Sequence, residues 1–156
     1  MKKLFKNLEE ITSSIFMMVT LILVLLNIFT RYFLKTGIPW SEEVATGCFV
    51  WTVYIGAAAA YKKGQHIGID LIVKYLNGKN RDIVQIIVDL ILLVVMIFLT
   101  ILSIKYVQTT YKKPTPVLAI SSAYISSAIV IGFVLMTLRT IQILFKDTKK
   151  LKGGSI

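Results

Sequence analysis

The chain has 156 residues, 56% of them hydrophobic, and a mean hydropathy of +0.75, which is too apolar for a soluble domain, where about 45–50% is usual. Its formal charge of +10, from 18 Lys and Arg against 8 Asp and Glu, sits mainly in segments flanking apolar runs. Anionic lipid is the ordinary counterpart of such segments, so the charge argues against nucleic acid as a partner.

Four runs reach the length of about 20 apolar residues that a membrane-crossing helix needs: 11–33, 44–61, 83–104 and 117–144. Each must be helical, because lipid offers the backbone no hydrogen-bond partner. A β-barrel would need alternating segments of about 10 residues instead of unbroken runs. The expected fold is therefore an all-α membrane protein, a single domain of four transmembrane helices over residues 1–156. The first run follows Lys2, Lys3 and Lys6 like a signal peptide, but it is too long for one and lacks a small-residue cleavage site, so it is read as a retained helix.

Thr20, Asn27 and Arg31 lie seven and four residues apart, along one face of the first helix. Such a stripe points at protein. Arg31, near the helix end, either snorkels to water or meets Glu42 or Glu43 across the loop. After Pro39, the stretch Trp40-Ser41-Glu42-Glu43 opens the second helix. Ser41 reads as its N-cap, Trp40 as an interfacial anchor, and the two acids suit the positive end of the helix dipole, worth about 0.3–1 kcal/mol. Two adjacent acids at a membrane boundary also suit a cationic partner or a docking surface. Further on, Thr52, Gly56 and Ala60 recur every four residues beside the run of alanines at 57–60, a seam that lets another helix approach closely, within this chain or in another subunit.

The middle loop, 62–82, carries His66 and Asp70 at helical spacing, with Ile67, Leu71, Val73, Tyr75 and Leu76 among polar residues. It reads as a short amphipathic helix lying in the membrane interface. The third helix presents Asp82, Gln85 and Asp89 at steps of three and four, followed on the same side by Met96, Thr100 and Ser103. Asp89 lies about 10 Å deeper than Asp82. It is the one candidate for coupling to an ion, beside the plainer reading of an interhelical hydrogen bond. Pro114 and Pro116 break the next loop, Ser121, Ser122, Ser126, Ser127, Ala128 and Gly132 give the fourth helix a small polar flank, and 146–156 reads as a basic, solvated cytoplasmic tail.

Thirteen of the 18 basic residues fall in the two termini and the middle loop, and five (Arg31, Lys35, Lys105, Lys112, Lys113) on the other side. The positive-inside rule then makes both termini cytoplasmic and places Glu42 and Glu43 at the outer face. Nothing in the chain resembles an enzyme: there is no phosphate-binding glycine loop, no nucleophile elbow, and His66 and Cys48 are the only residues of their kinds, so no cofactor or metal is expected.

Taken in order and at this spacing, Asn27, Arg31-Tyr32, Trp40-Ser41-Glu42-Glu43, Trp51, Gly56, Lys62-Lys63, His66 and Asp70 resemble the small four-helix (Q-type) membrane subunit of bacterial tripartite ATP-independent periplasmic (TRAP) transporters. The resemblance covers about residues 27–70 by motif and the rest by the number and length of spans. It implies an inner-membrane scaffold with two partners: a large multi-helix subunit that carries an organic acid (dicarboxylate, keto acid or sialic acid) on a sodium gradient, and a periplasmic substrate-binding protein. Arg31, Trp40, Glu42 and Glu43 would then shape the docking face or the joint between subunits, with Thr52, Gly56 and Ala60 in a packing seam. The alternative is a self-sufficient four-helix transporter acting as a homo-oligomer, for which Asp89 is the sole entrant as a titratable transport residue.

Overall fold

The structure, a computed structural model, describes residues 8–62 and 79–153. It consists of α1 (Leu8–Phe33), α2 (Pro39–Lys62), α3 (Lys79–Thr110) and α4 (Ala123–Gly153). All four are long and apolar enough to cross a membrane. The interfacial helix expected in the middle loop, with His66 and Asp70, lies outside the described residues.

α1 packs on α2, α2 on α4, and α4 on α3, so the helices form an open row in the order α1, α2, α4, α3. A closed bundle would bring α1 against α3. Among the described residues the buried hydrophobic core consists of Ala45, Ile55, Ala58 and Ala59 from α2 with Ala128 and Met136 from α4, the two helices in the middle of the row. Four of these six are alanines, as suits helices that approach closely: a Cβ on Gly132 would lie 2.7 Å from the Tyr54 Cβ and 3.1 Å from the Tyr54 carbonyl oxygen. Tyr54 also meets the Phe133 ring edge-on, with centroids 5.7 Å apart.

The polar stripes read along α1 and α3 both turn toward neighbouring helices. On α1, the Ser13 hydroxyl donates to the Thr52 carbonyl at 3.1 Å, and the Thr20 hydroxyl to its own-helix Phe16 carbonyl at 2.9 Å and to Ala45 across the gap at 3.5 Å. Phe16 stacks on Trp51 between them, 5.6 Å centroid to centroid. On α3, Thr100 shares a 3.1 Å hydrogen bond with Thr137 of α4, while Asp89 and Ser103 are buried. Large side chains such as Ile22, Leu25, Phe29, Leu90, Val94 and Phe98 are left exposed on the two end helices, as suits contact with lipid or another membrane protein.

Two boundaries differ from the apolar pattern. The fourth run extends back to Val117, yet α4 starts at Ala123, because Pro114 and Pro116 and a left-handed Ala119 (φ 53°) shape residues 114–122 into a compact loop. An isolated bridge between Pro114 and Ser121 closes it, with the Thr115 amide donating to the Ile120 carbonyl at 2.8 Å. At the other end α4 runs on to Gly153, so 146–153, read as a solvated tail, is helical. A periodic Lys-rich segment without an internal proline continues a helix once an apolar span has nucleated it.

Candidate functional site

The first turn of α2 holds the largest set of polar contacts at the end of the row where α1 meets α2 and α3 meets α4, here called the hairpin end. Pro39 is its first helical residue, a position where the absent N–H is no loss. The expected cap is corrected here: Ser41 is not the N-cap. Its hydroxyl donates back to the Ile38 carbonyl at 2.7 Å, and it is 1% exposed. The Ile38 amide instead donates to Asn27 Oδ1 of α1 at 3.1 Å. A side chain from the neighbouring helix thus satisfies a backbone donor where the new helix starts.

The two acids point opposite ways. Glu42 Oε1 accepts from Arg31 Nη2 at 2.6 Å and from Asn27 Nδ2 at 2.8 Å. Of the alternatives left open for Arg31, the structure selects the pair with Glu42. Its two side chains are more than half exposed, so the pair itself contributes little, while Asn27 beneath it is buried. Glu43 Oε2 accepts from the backbone amides of Val117 and Leu118 at 2.8 and 3.3 Å, with Thr115 beside it. Glu42 therefore ties α2 to α1, and Glu43 ties it to the loop that leads into α4. Trp40 stands beside them, half exposed.

The seam of Thr52, Gly56 and Ala60 closes within the chain for its first two members. Thr52 receives the Ser13 hydroxyl, and a Cβ on Gly56 would lie 2.9 Å from Ser13 Oγ. Of the two partners left open for this seam, Thr52 and Gly56 meet the one within the chain, α1. Ala60 remains exposed. Likewise Gly132 of α4 faces Tyr54 of α2 rather than an external neighbour.

Asp89 is 1% exposed. Gln85 Nε2 donates to its Oδ1 over 3.3 Å, whereas Oδ2 meets no amide, hydroxyl or basic donor among the described residues. Tyr61 of α2 and Asp147 of α4 lie close by. The site is enclosed by the chain's own helices, and no group of three His, Cys, Asp or Glu side chains able to hold a metal ion occurs among the described residues.

One ion pair has no counterpart in the sequence reading. Arg139 Nη2 of α4 donates to Glu9 Oε1 of α1 at 2.8 Å, both side chains being largely buried. α1 and α4 flank α2 in the row, so the pair reaches past α2. Ser13 lies against Gly56 and Gly132 against Tyr54, which puts Glu9 and Arg139 level with the alanines at 57–60. Ala58 and Ala59 are buried there, and their small size leaves room for the two side chains to meet. The available signal was Arg139 itself, a guanidinium within an apolar run, where a charge demands a partner.

Comparison with known proteins bears on these features. Residues 20–150 match the family model described as tripartite ATP-independent periplasmic transporters, DctQ component. A Haemophilus influenzae protein assigned as a TRAP transporter small permease protein is 32% identical over 149 residues, 96% of this chain and 90% of that one. The sialic acid TRAP transporter small permease protein SiaQ of Vibrio cholerae is 28% identical over 155 residues, 99% of this chain and 90% of its own length. The isethionate TRAP transporter permease protein DctMQ of Oleidesulfovibrio alaskensis is 29% identical over 105 residues, 66% of this chain but 16% of that longer protein.

Proposed function

This chain belongs to the DctQ-component family of tripartite ATP-independent periplasmic transporters, and on that premise we propose that it is the static scaffold of such a transporter. It is a bacterial inner-membrane protein with four helices able to span the membrane. In this role it holds a large multi-helix transport subunit during sodium-driven uptake of an organic acid and, with both termini cytoplasmic, offers its hairpin end to a periplasmic substrate-binding protein. Relatives named for sialic acid and for C4-dicarboxylate indicate the class of cargo. The longer relative named DctMQ supports a large-subunit partner.

The observation that carries this reading is the direction of the polar groups. Among the described residues, the stripes of α1 and α3 and the glycines of α2 and α4 are spent on neighbouring helices of the same chain, while large apolar side chains face outward. A helix row of this kind suits a rigid wall more than a conduit. Lipid fills whatever part of its flanks protein leaves bare. The burial of Asp89 among the chain's own helices, bonded to Gln85 of the same helix, supports a structural role over ion coupling.

The test is gentle extraction of the tagged chain from its native membrane, followed by mass spectrometry and uptake measurements in proteoliposomes. Recovery with an equal amount of a much larger membrane protein, and loss of sodium-driven uptake when this chain is omitted, is the expected result. Recovery of this chain alone as a homo-oligomer that moves cations would overturn it.

A further inference from the structure

At the hairpin end both carboxylates are engaged: Glu42 by Arg31 and Asn27, Glu43 by the Val117 and Leu118 amides. Lys35, Lys112 and Lys113 remain exposed there without a partner among the described residues, and Lys105 stands exposed further along α3. Arg31 balances Glu42, and Lys35, Lys112 and Lys113 outnumber Glu43, so this end is basic although its sequence contains two adjacent acids.

Lys35 also occupies a position that favours glycine. α1 closes with the amides of Leu34 and Thr36 returning to the Thr30 carbonyl at 2.9 and 3.4 Å, and Lys35 between them has φ 52°. This is left-handed backbone just past the end of α1, where a Cβ is strained. The other non-glycine residue with positive φ among those described is Ala119, in the loop clamped by Glu43. Beside it Val117, Leu118 and Ile120 are 40–49% exposed. Both strained residues lie at the same end of the molecule, in the two loops tied to the first turn of α2. Strain of this kind persists where surrounding structure overrides it, and it clusters where a fixed shape matters.

We infer that Lys35, Lys112 and Lys113, at the same end of the molecule as the apolar tip of the 114–122 loop, form a preshaped basic docking face for an acidic patch on the soluble substrate-binding protein. The inference rests on the scaffold reading above and specifies the chemistry of its outer contact. Charge complementarity selects an acidic partner. The fixed loops select a folded protein over lipid head groups, which gather around cations of any geometry, whereas a rigid partner gains affinity from a surface that needs no reordering.

The test uses the whole complex of this chain and its large subunit in proteoliposomes, with uptake followed as the cognate binding protein is titrated. Lys35→Gln raises the half-saturating concentration of binding protein roughly two- to five-fold, the range for one exposed charge pair. The triple change of Lys35, Lys112 and Lys113 to Gln raises it further, Lys35→Arg leaves it near wild type, and about 1 M salt erases the differences. Lys35→Gly weakens docking as Gln does while raising the melting temperature of the complex, separating charge from fold. Wild-type half-saturation in the triple variant would overturn the inference and leave the scaffold role standing. So would unchanged half-saturation together with lost binding to phosphatidylglycerol vesicles, which would make the face a lipid site. Uptake that never depends on the binding protein would instead refute the scaffold reading.

Discussion

The two glycines at helix contacts make a paired prediction whose members differ in size. Replacing either by alanine favours the helix by about 0.8–1.0 kcal/mol, since glycine is the poorer helix former. At Gly132 the new methyl meets the Tyr54 Cβ at 2.7 Å and the Tyr54 carbonyl oxygen at 3.1 Å, atoms fixed to the α2 backbone. Only separation of α2 from α4 relieves that clash, and overpacking of this kind costs about 1–3 kcal/mol. At Gly56 the methyl meets Ser13 Oγ at 2.9 Å, the end of a side chain that can rotate away. What is lost there is the Ser13 bond to the Thr52 carbonyl, worth about 0.6 kcal/mol on the average of helix contacts in membranes. Gly132→Ala should therefore be destabilised by up to about 2 kcal/mol, with Gly56→Ala near neutral. The assay is thermal unfolding in lipid nanodiscs with the two variants measured side by side. Gly132→Ala proving as stable as Gly56→Ala would refute the packing argument for the α2–α4 seam.

Other predictions concern the polar ties. Asn27→Ala should cost more than Arg31→Ala, about 1–3 kcal/mol against about 0–1, because it strips the Ile38 amide and a Glu42 oxygen of a buried partner while the Arg31 pair is exposed; chemical or thermal unfolding orders them. Arg139→Ala should approach, but not reach, the about 3–5 kcal/mol of a broken buried ion pair, and Arg139→Lys should recover part of it, as read by folded yield in nanodiscs. Glu43→Ala should remove hydrogen-exchange protection at the Val117 and Leu118 amides, whereas Glu43→Gln, which keeps an acceptor oxygen, should retain most of it.

Fold class and helix number were legible because lipid forces long apolar runs into helices. The α1 stripe was legible too: Thr20, Asn27 and Arg31 lie on one face by spacing, and that face meets α2. What spacing along one helix cannot give is the identity of the opposite wall. Gly56 looks the same in sequence whether Ser13 or another subunit approaches it, and the Glu43 contact links residues 74 positions apart. Ser41 misled because Ser before two acids fits a capping pattern, while the helix in fact begins at Pro39 with Asn27 reaching over from α1. Glu9 and Arg139 lie 130 positions apart, so spacing along either helix gives no sign that they meet past the small alanines of α2.

The row also constrains how the chain is made. α1 and α2 are an antiparallel hairpin of successive segments, as are α3 and α4, so each pair can close as soon as its second helix leaves the ribosome. The pairing of α2 with α4 waits for the last helix, and Gly132 against Tyr54 is a close approach along it. Biogenesis thus reduces to inserting two half-proteins and zipping them along one parallel seam. Cutting the chain between them should leave two pieces able to find each other in the bilayer.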